Sequence, residues 1–330
     1  MRYRQFLETH AYGSLDRGFM TEARLSHKKI AQKIAHDFLK CDTIHVSFIG
    51  EGSNNKNFLA RTKEREIVIK LSFAHKEYKA LEDYQKEKWC IEKSSEKGVL
   101  GPTVLSVGRA YGRAYMIETF VPGVNGKKVK DTVAIYRVLG KYVKRIHSIN
   151  ASGFGETLKD SKRGIFKDSW KKYLDYNIKS LTDDDKLIAL KVITKEQSRS
   201  VKNVFQNLKR QKFTFGLNHG DISLANTLVD RSGKIALLDW GCAEVHIIPH
   251  FELMYLLGLQ MEEGRPTTAE LKAFLKGYGM SQRKFVALRV EILNLMLLNS
   301  FDKLRWAIDR NPAKIKEFSK RVKRVLNAAF

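Results

Sequence analysis

Three cysteines and five prolines are all that this chain of 330 residues contains of either type. Cys41, Cys90 and Cys242 are odd in number and lack metal-ligand spacing, which excludes a disulfide scaffold and a cysteine-based zinc site and fits a reducing compartment. No apolar run approaches the ~20 residues that a membrane span needs. The start, Met-Arg-Tyr-Arg-Gln-Phe-Leu-Glu, lacks the apolar stretch of a secretory signal, so a cytoplasmic protein with no membrane span is expected. Internal repeats and low-complexity tracts are absent too. Acidic residues are scarce: 36 Asp and Glu face 60 Lys and Arg, for a net charge of +24.

What is present describes a folded chain. Hydrophobic residues make up 43%, enough to bury a core, and the length suits two domains or one large bipartite one. Basic residues concentrate in three helical-looking segments: seven against one acidic in 127–150, eight against one in 186–212, and nine against three in 301–330. Such charge attracts RNA or another polyanion, or else forms a solvated face.

The hydropathy pattern changes along the chain. Alternating β-branched and aromatic residues predict strands at 43–49, 57–61, 66–71, 104–107 and 113–118, with one helix from about Lys76 to Lys97. Val121-Pro-Gly-Val-Asn-Gly126 breaks this pattern. Helices are expected thereafter at 129–150, 166–180, 185–212, 249–262, 267–278, 281–300 and 312–328, with short strands inside 213–240. The division expected is a helical extension over 1–42, a small β-rich lobe over 43–121 and a larger helical lobe over 122–330, with a ligand cleft at the hinge. No function is assigned to 1–42, which carries Arg2, Arg4, Arg17 and a helical stretch from Ser26 to Leu39.

The segment richest in chemistry is His219-Gly220-Asp221-Ile-Ser-Leu-Ala-Asn226, followed by Leu237-Leu-Asp239-Trp240. Asp221 and Asn226 bracket a tight loop, and Asp239 ends the next strand eighteen residues after Asp221. A hairpin would bring Asn226 and Asp239 side by side as hard oxygen ligands of the kind Mg²⁺ takes, leaving Asp221 to accept a proton from a hydroxyl.

This segment resembles the HGDxxxxN catalytic loop of the aminoglycoside phosphotransferase and choline kinase-like family, relatives of the protein kinases. The resemblance spans about 43–300. It implies an α+β, two-lobed protein-kinase-like fold and ATP-dependent phosphoryl transfer to the hydroxyl of a small molecule, with ATP and Mg²⁺ as cofactors. Asp221 is then the catalytic carboxylate, and Asn226 and Asp239 are the metal ligands. Ile49-Gly50-Glu51-Gly52-Ser53-Asn54-Asn55 resembles the family's hairpin over the nucleotide phosphates. Lys70 is similar to the strand lysine that grips the α/β-phosphates, with Glu87 as its ion-pair partner and Glu82 the next candidate. Met116-Ile-Glu118-Thr-Phe120-Val-Pro122-Gly123 looks like the hinge that receives adenine. His219 takes a scaffold place. Two departures stand out: Ser223 replaces a common His, and Glu252 stands where relatives carry a bracing Asp. A helical lobe rich in Lys and Arg argues against a polycationic aminoglycoside as acceptor. A kinase acting on RNA, and a nucleotide-binding module without catalysis, are the alternatives. His246 and His250 flank Pro249, which spoils a helical metal pair, and Met254 to Met261 reads as a core helix.

Overall fold

The computed structural model describes residues 26–52, 54–74 and 77–330. The chain forms two compact units: one holds the described residues up to Lys93 together with Gly101–Pro122, the other Ser94–Leu100 together with Gly123–Phe330.

The smaller unit is built on a five-stranded antiparallel sheet. Its strands are β1 (His45–Glu51), β2 (Asn55–Arg61), β3 (Glu66–Ser72), β4 (Val104–Ala110) and β5 (Arg113–Thr119), in the order β1-β2-β3-β5-β4. Helix α1 (His27–Leu39), capped by the Ser26 side chain, lays Ile30, Ala31, Ile34 and Ala35 against Val46, Phe58, Ile67, Ile69, Leu71 and Ile117. The stretch before the strands therefore supplies one cover of the sheet, while Arg2, Arg4 and Arg17 lie outside the described residues. Side chains alternate faces along a strand, so burying Ile67, Ile69 and Leu71 under α1 sends Lys70 to the opposite face. That face meets α2 (Glu77–Glu96) through Lys70 and Glu87.

The larger unit is mainly helical. Helix α3 (Thr132–Ile146) follows a short strand β6 (Val124–Asn125), and a small hairpin, β7 (Leu158–Asp160) with β8 (Ile165–Phe166), precedes α4 (Trp170–Lys179). The single helix expected over 185–212 is two: α5 (Lys186–Ala189) and α6 (Lys195–Arg210). Lys191 adopts a left-handed φ of 53°, and Thr194 opens α6 with a capping box to Gln197, so the Val-Ile-Thr run is linker, not helix. Asp185 caps α5 and also accepts a bidentate pair from Arg305 at 2.9 and 2.6 Å.

Strand β9 (Phe215–Asn218) pairs with β12 (Glu244–Ile247), and β10 (Thr227–Val229) pairs with β11 (Ile235–Leu237) and β6. Helices α7 (His250–Glu263), α8 (Thr268–Tyr278), α9 (Gln282–Arg310) and α10 (Ile315–Ala329) complete the unit, α9 running well past the expected end at 300 because Phe301, Leu304 and Ala307 keep its buried face going. Among the described residues no helix is long and apolar enough to cross a membrane.

Helices α3 and α8 cross at glycines. A Cβ at Gly140 would lie 2.1 Å from the Phe274 carbonyl oxygen, and one at Gly277 would lie 1.9 Å from that of Arg137. This close approach lets the Tyr278 hydroxyl donate to His147 Nδ1 at 2.9 Å, while His147 Nε2–H donates to Asn218 Oδ1 at 3.1 Å, the residue before His219. Gly140→Ala is therefore expected to force the helices apart and destabilise the protein by about 2 kcal/mol or more, read as a lower urea midpoint. An unchanged midpoint would contradict the close crossing.

Candidate active site

The two halves of the expected site sit in different units, and each is built by local rules. In the larger unit, β9 delivers His219, Gly220 and Asp221. Gly220 has φ +78°, and a Cβ there would lie 2.4 Å from the Cys242 carbonyl oxygen, so both conformation and space require glycine. His219 is fully buried: its Nδ1 accepts from the Asp221 amide at 3.3 Å, which fixes Nε2 as the donor to the Leu238 carbonyl at 3.1 Å. Its ring sits edge-on to Trp240, centroids 4.7 Å apart. His219 thus ties the loop to the strand that ends at Asp239, with no nitrogen left for proton transfer.

Asn226 holds Asp221. Its Nδ2 donates to the Asp221 carbonyl at 2.9 Å and to Asp221 Oδ2 at 2.8 Å. The other carboxylate oxygen, Oδ1, accepts from the Tyr255 hydroxyl on α7. In the β10–β11 hairpin Thr227 faces Leu237, and Leu238 N–H bonds the Asn226 carbonyl at 2.9 Å, so Asp239 follows one residue beyond the pair to Asn226. Asp239 is in the left-handed region, φ 61°, which an Asp tolerates better than most residues, and its carboxylate caps the turn Trp240–Cys242 by accepting from Gly241 N–H at 3.4 Å. Ser223 opens the short turn Leu224–Asn226 and accepts the Asn226 amide on its carbonyl at 3.2 Å.

These residues suit a hard cation. Both Asn226 side-chain bonds use the amide nitrogen, and among the described residues Oδ1 has no donor and the exposed Asp239 carboxylate has only the long Gly241 bond. No group of three or more His, Cys, Asp and Glu suited to a metal occurs among the described residues. One amide oxygen and one carboxylate match Mg²⁺, which keeps waters and phosphate oxygens as its remaining ligands. His246 and His250 have other work: the first stacks on Phe251 at 4.2 Å and the second pairs with Glu291 at 2.8 Å.

Glu252 braces the loop from α7. Its Oε1 accepts the amides of His219 at 2.6 Å and Gly220 at 3.0 Å, and Oε2 is buried without a hydrogen-bond partner among the described residues. Burial pushes its carboxyl up to about 7, helped by the negative charges of Asp221 and Glu244 and opposed by the two amides. Tyr255, three residues on, is the residue that sequence reasoning missed, because an apolar run around it reads as core. The signal was the spacing: a residue three after the bracing Glu252 shares its helix face.

In the smaller unit Lys70 Nζ lies 3.0 Å from Glu87 Oε2 and 3.3 Å from Glu118 Oε1, with all three side chains nearly buried. Glu82 does not take this place. Glu118, expected in the segment that receives adenine, is still inside β5, and Phe120 is the first residue past the strand. The β1–β2 turn contains Gly52 and Asn54; Gly52 N–H closes it on the Asn55 carbonyl at 2.9 Å, and Asn55 begins β2. Gly50, in β1 beside a register shift, would meet nothing within 4 Å with a Cβ added. Ser53 lies outside the described residues.

An antiparallel sheet unit carrying a lysine–glutamate pair, with a mainly helical unit carrying the Asp221 loop, defines the protein-kinase-like fold. The model of the phosphotransferase enzyme family (APH) matches residues 45–289, and the chain belongs to that family. Among solved structures, a thermostable mutant of aminoglycoside phosphotransferase APH(4)-Ia in ternary complex with AMP-PNP and hygromycin B is similar at 18% identity and TM-score 0.64, covering 90% of this chain and 98% of its own. Spectinomycin phosphotransferase APH(9)-Ia, in complex with ADP and spectinomycin, gives 19% and 0.56, covering 91% and 97%. Choline kinase LicA from Streptococcus pneumoniae gives 17% and 0.60, covering 92% and 100%. No curated protein matches the chain.

The Glu252 geometry has a pH consequence. A carboxyl whose value is raised on folding adds stability below its ordinary value of 4.5, and that contribution is lost as pH rises through about 7. Glu252→Gln keeps an oxygen for both amides and cannot ionise. Urea melts between about pH 5 and pH 8 should show the wild type losing stability relative to the variant as pH rises. A constant difference across that range would contradict the burial argument.

Proposed function

We propose that this protein transfers the γ-phosphoryl group of ATP to a hydroxyl of a small-molecule acceptor. The observation that carries the reading is the Asp221 loop. A carboxylate is held by donors on both oxygens, beside an amide oxygen and a second carboxylate left open for a cation.

In this reading Asp221 orients the acceptor hydroxyl and takes its proton. Lys70 binds the α/β-phosphates, and Glu87 and Glu118 hold its ammonium in place. The turn from Gly50 through Asn55 covers the phosphates. With the Gly52 amide spent on Asn55, that residue shapes the turn and does not serve as a phosphate donor. The backbone around Glu118 and Phe120 receives the adenine. Asn226 and Asp239 would hold Mg²⁺, which when bound neutralises charge on the phosphate oxygens. Rate enhancement comes from alignment and charge neutralisation, because phosphoryl transfer asks little covalent chemistry of a protein.

Charge supports a neutral or anionic acceptor over a polycation. Among the carboxylates of the helical unit, Asp185 and Glu270 are buried out of reach of a polycation, and the more accessible Glu262 and Asp183 lie against Arg321 at 2.5 and 2.7 Å and Arg199 at 3.8 Å. An RNA or other polyanionic acceptor has net charge alone in its favour, and part of that charge is paired internally, Lys209 with Asp175 and Lys314 with Glu317.

Two variants separate the roles. Asp221→Asn should bind Mg·ATP with near-native affinity yet turn over about 10²-fold or more slowly. Asp239→Ala should instead weaken Mg·ATP binding, measured by calorimetry with AMP-PNP. Native turnover in Asp221→Asn would overturn the assignment.

A further inference from the structure

Asp221 is gripped from two directions. Asn226, in its own loop, donates to Oδ2 at 2.8 Å, and the hydroxyl of Tyr255 donates to Oδ1 from α7. One donor would leave the carboxylate plane free to turn, since the terminal torsion of Asp has a broad, two-fold energy profile. Two donors on separate elements fix that plane.

The second donor stands on a rigid base. Glu252 and Tyr255 are one turn apart on the same face of α7, so the helix that clamps the amides of His219 and Gly220 also reaches the side chain of the next residue. The start of α7 is itself anchored, through the 2.8 Å contact of His250 with Glu291 of α9. A phenol donating to a carboxylate makes a charge-assisted bond, stronger than a neutral one. Burial, together with the negative charge of Asp221, raises the Tyr255 hydroxyl far above its usual value, so it remains a donor throughout the working range.

We propose that Tyr255 is a positioning residue for phosphoryl transfer, its hydroxyl locking the Asp221 carboxylate in the orientation that receives the acceptor's hydroxyl. The inference rests on the reading of Asp221 as the acceptor-facing carboxylate. Tyr255 acts through Asp221: its one polar atom is spent on that carboxylate, and the proton taken from the acceptor ends on Asp221. The tolerance for such a group is about 10–20° of orientation, so loss of one of its two donors should be felt in turnover and not in nucleotide affinity.

The test is a double-mutant cycle on Mg·ATP hydrolysis, with water as the acceptor, in the full chain. Tyr255→Phe removes one oxygen from a half-buried ring, and a thermal melt checks that the variant folds like the wild type. Its kcat should fall about tenfold with KM for ATP unchanged. The pair Tyr255→Phe with Asp221→Asn should be no slower than Asp221→Asn alone, because the lost hydroxyl has nothing left to orient. Wild-type kcat in Tyr255→Phe would overturn the inference, and so would a tenfold loss that recurs in the Asp221→Asn background, which marks a packing role. Wild-type turnover in Asp221→Asn alone would overturn the reading of Asp221 on which the inference stands, a result separable from the other two.

Discussion

The carboxylate of Glu252, accepting the amides of His219 and Gly220, is the constraint on which the Asp221 loop depends. Gly220 turns through a left-handed conformation pressed against Cys242, and two consecutive amides there point away from any sheet partner. Buried amides without acceptors would each cost about 1–3 kcal/mol. A helix that supplies one carboxylate for both removes that cost and sets the distance between α7 and the loop. The neighbouring supports follow from this anchor. His147 holds Asn218 just before the loop, His219 ties it to Leu238, and the Leu238 amide closes on Asn226 at its far end. The loop from Asn218 to Asn226 is therefore held at both ends and in its middle by side chains and backbone outside it.

Local patterns made much of this legible. The strands around Lys70 alternate cleanly enough to place them within a few residues, and the Gly-Ser-Asn turn and the 121–126 break punctuate them. The Asp221, Asn226 and Asp239 spacing was readable because the three residues flank one hairpin, β10–β11, whose register sets what meets at its open end. The seventeen residues from Lys70 to Glu87 work for a similar reason: one strand, one connection and one helix leave little choice of partner. What escaped reading is tertiary. Glu118 meets Lys70 because β5 pairs with β3, which no local pattern reveals. Tyr255 sits in an apolar run and is polar at one atom only, so its contact with Asp221 emerges when α7 is docked on the loop. The break between α5 and α6 hides within a charged, helix-rich composition, and the buried Asp185–Arg305 pair spans 120 residues of sequence.

Charge shows the same contrast between composition and placement. A net +24 suggests polyanions, yet Arg305 is buried on Asp185, Arg321 is locked to Glu262, and the apolar face of α10, Val322, Val325 and Leu326, is buried. The basic total is thus partly structural. Relatives crystallised with hygromycin B and spectinomycin share the fold with this chain at under 20% identity, a level at which acceptor chemistry is free to differ.

The central claim is that the Asp221 loop performs phosphoryl transfer to a hydroxyl. Incubation of the purified protein with Mg²⁺, γ-labelled ATP and a panel of neutral, anionic and cationic hydroxyl compounds, with bulk RNA alongside, tests it most directly. The account predicts label in a phosphomonoester of a neutral or anionic small molecule. Tight Mg·ATP binding with no label transferred to any acceptor, and none released to water, would contradict it and leave a nucleotide-binding module in its place.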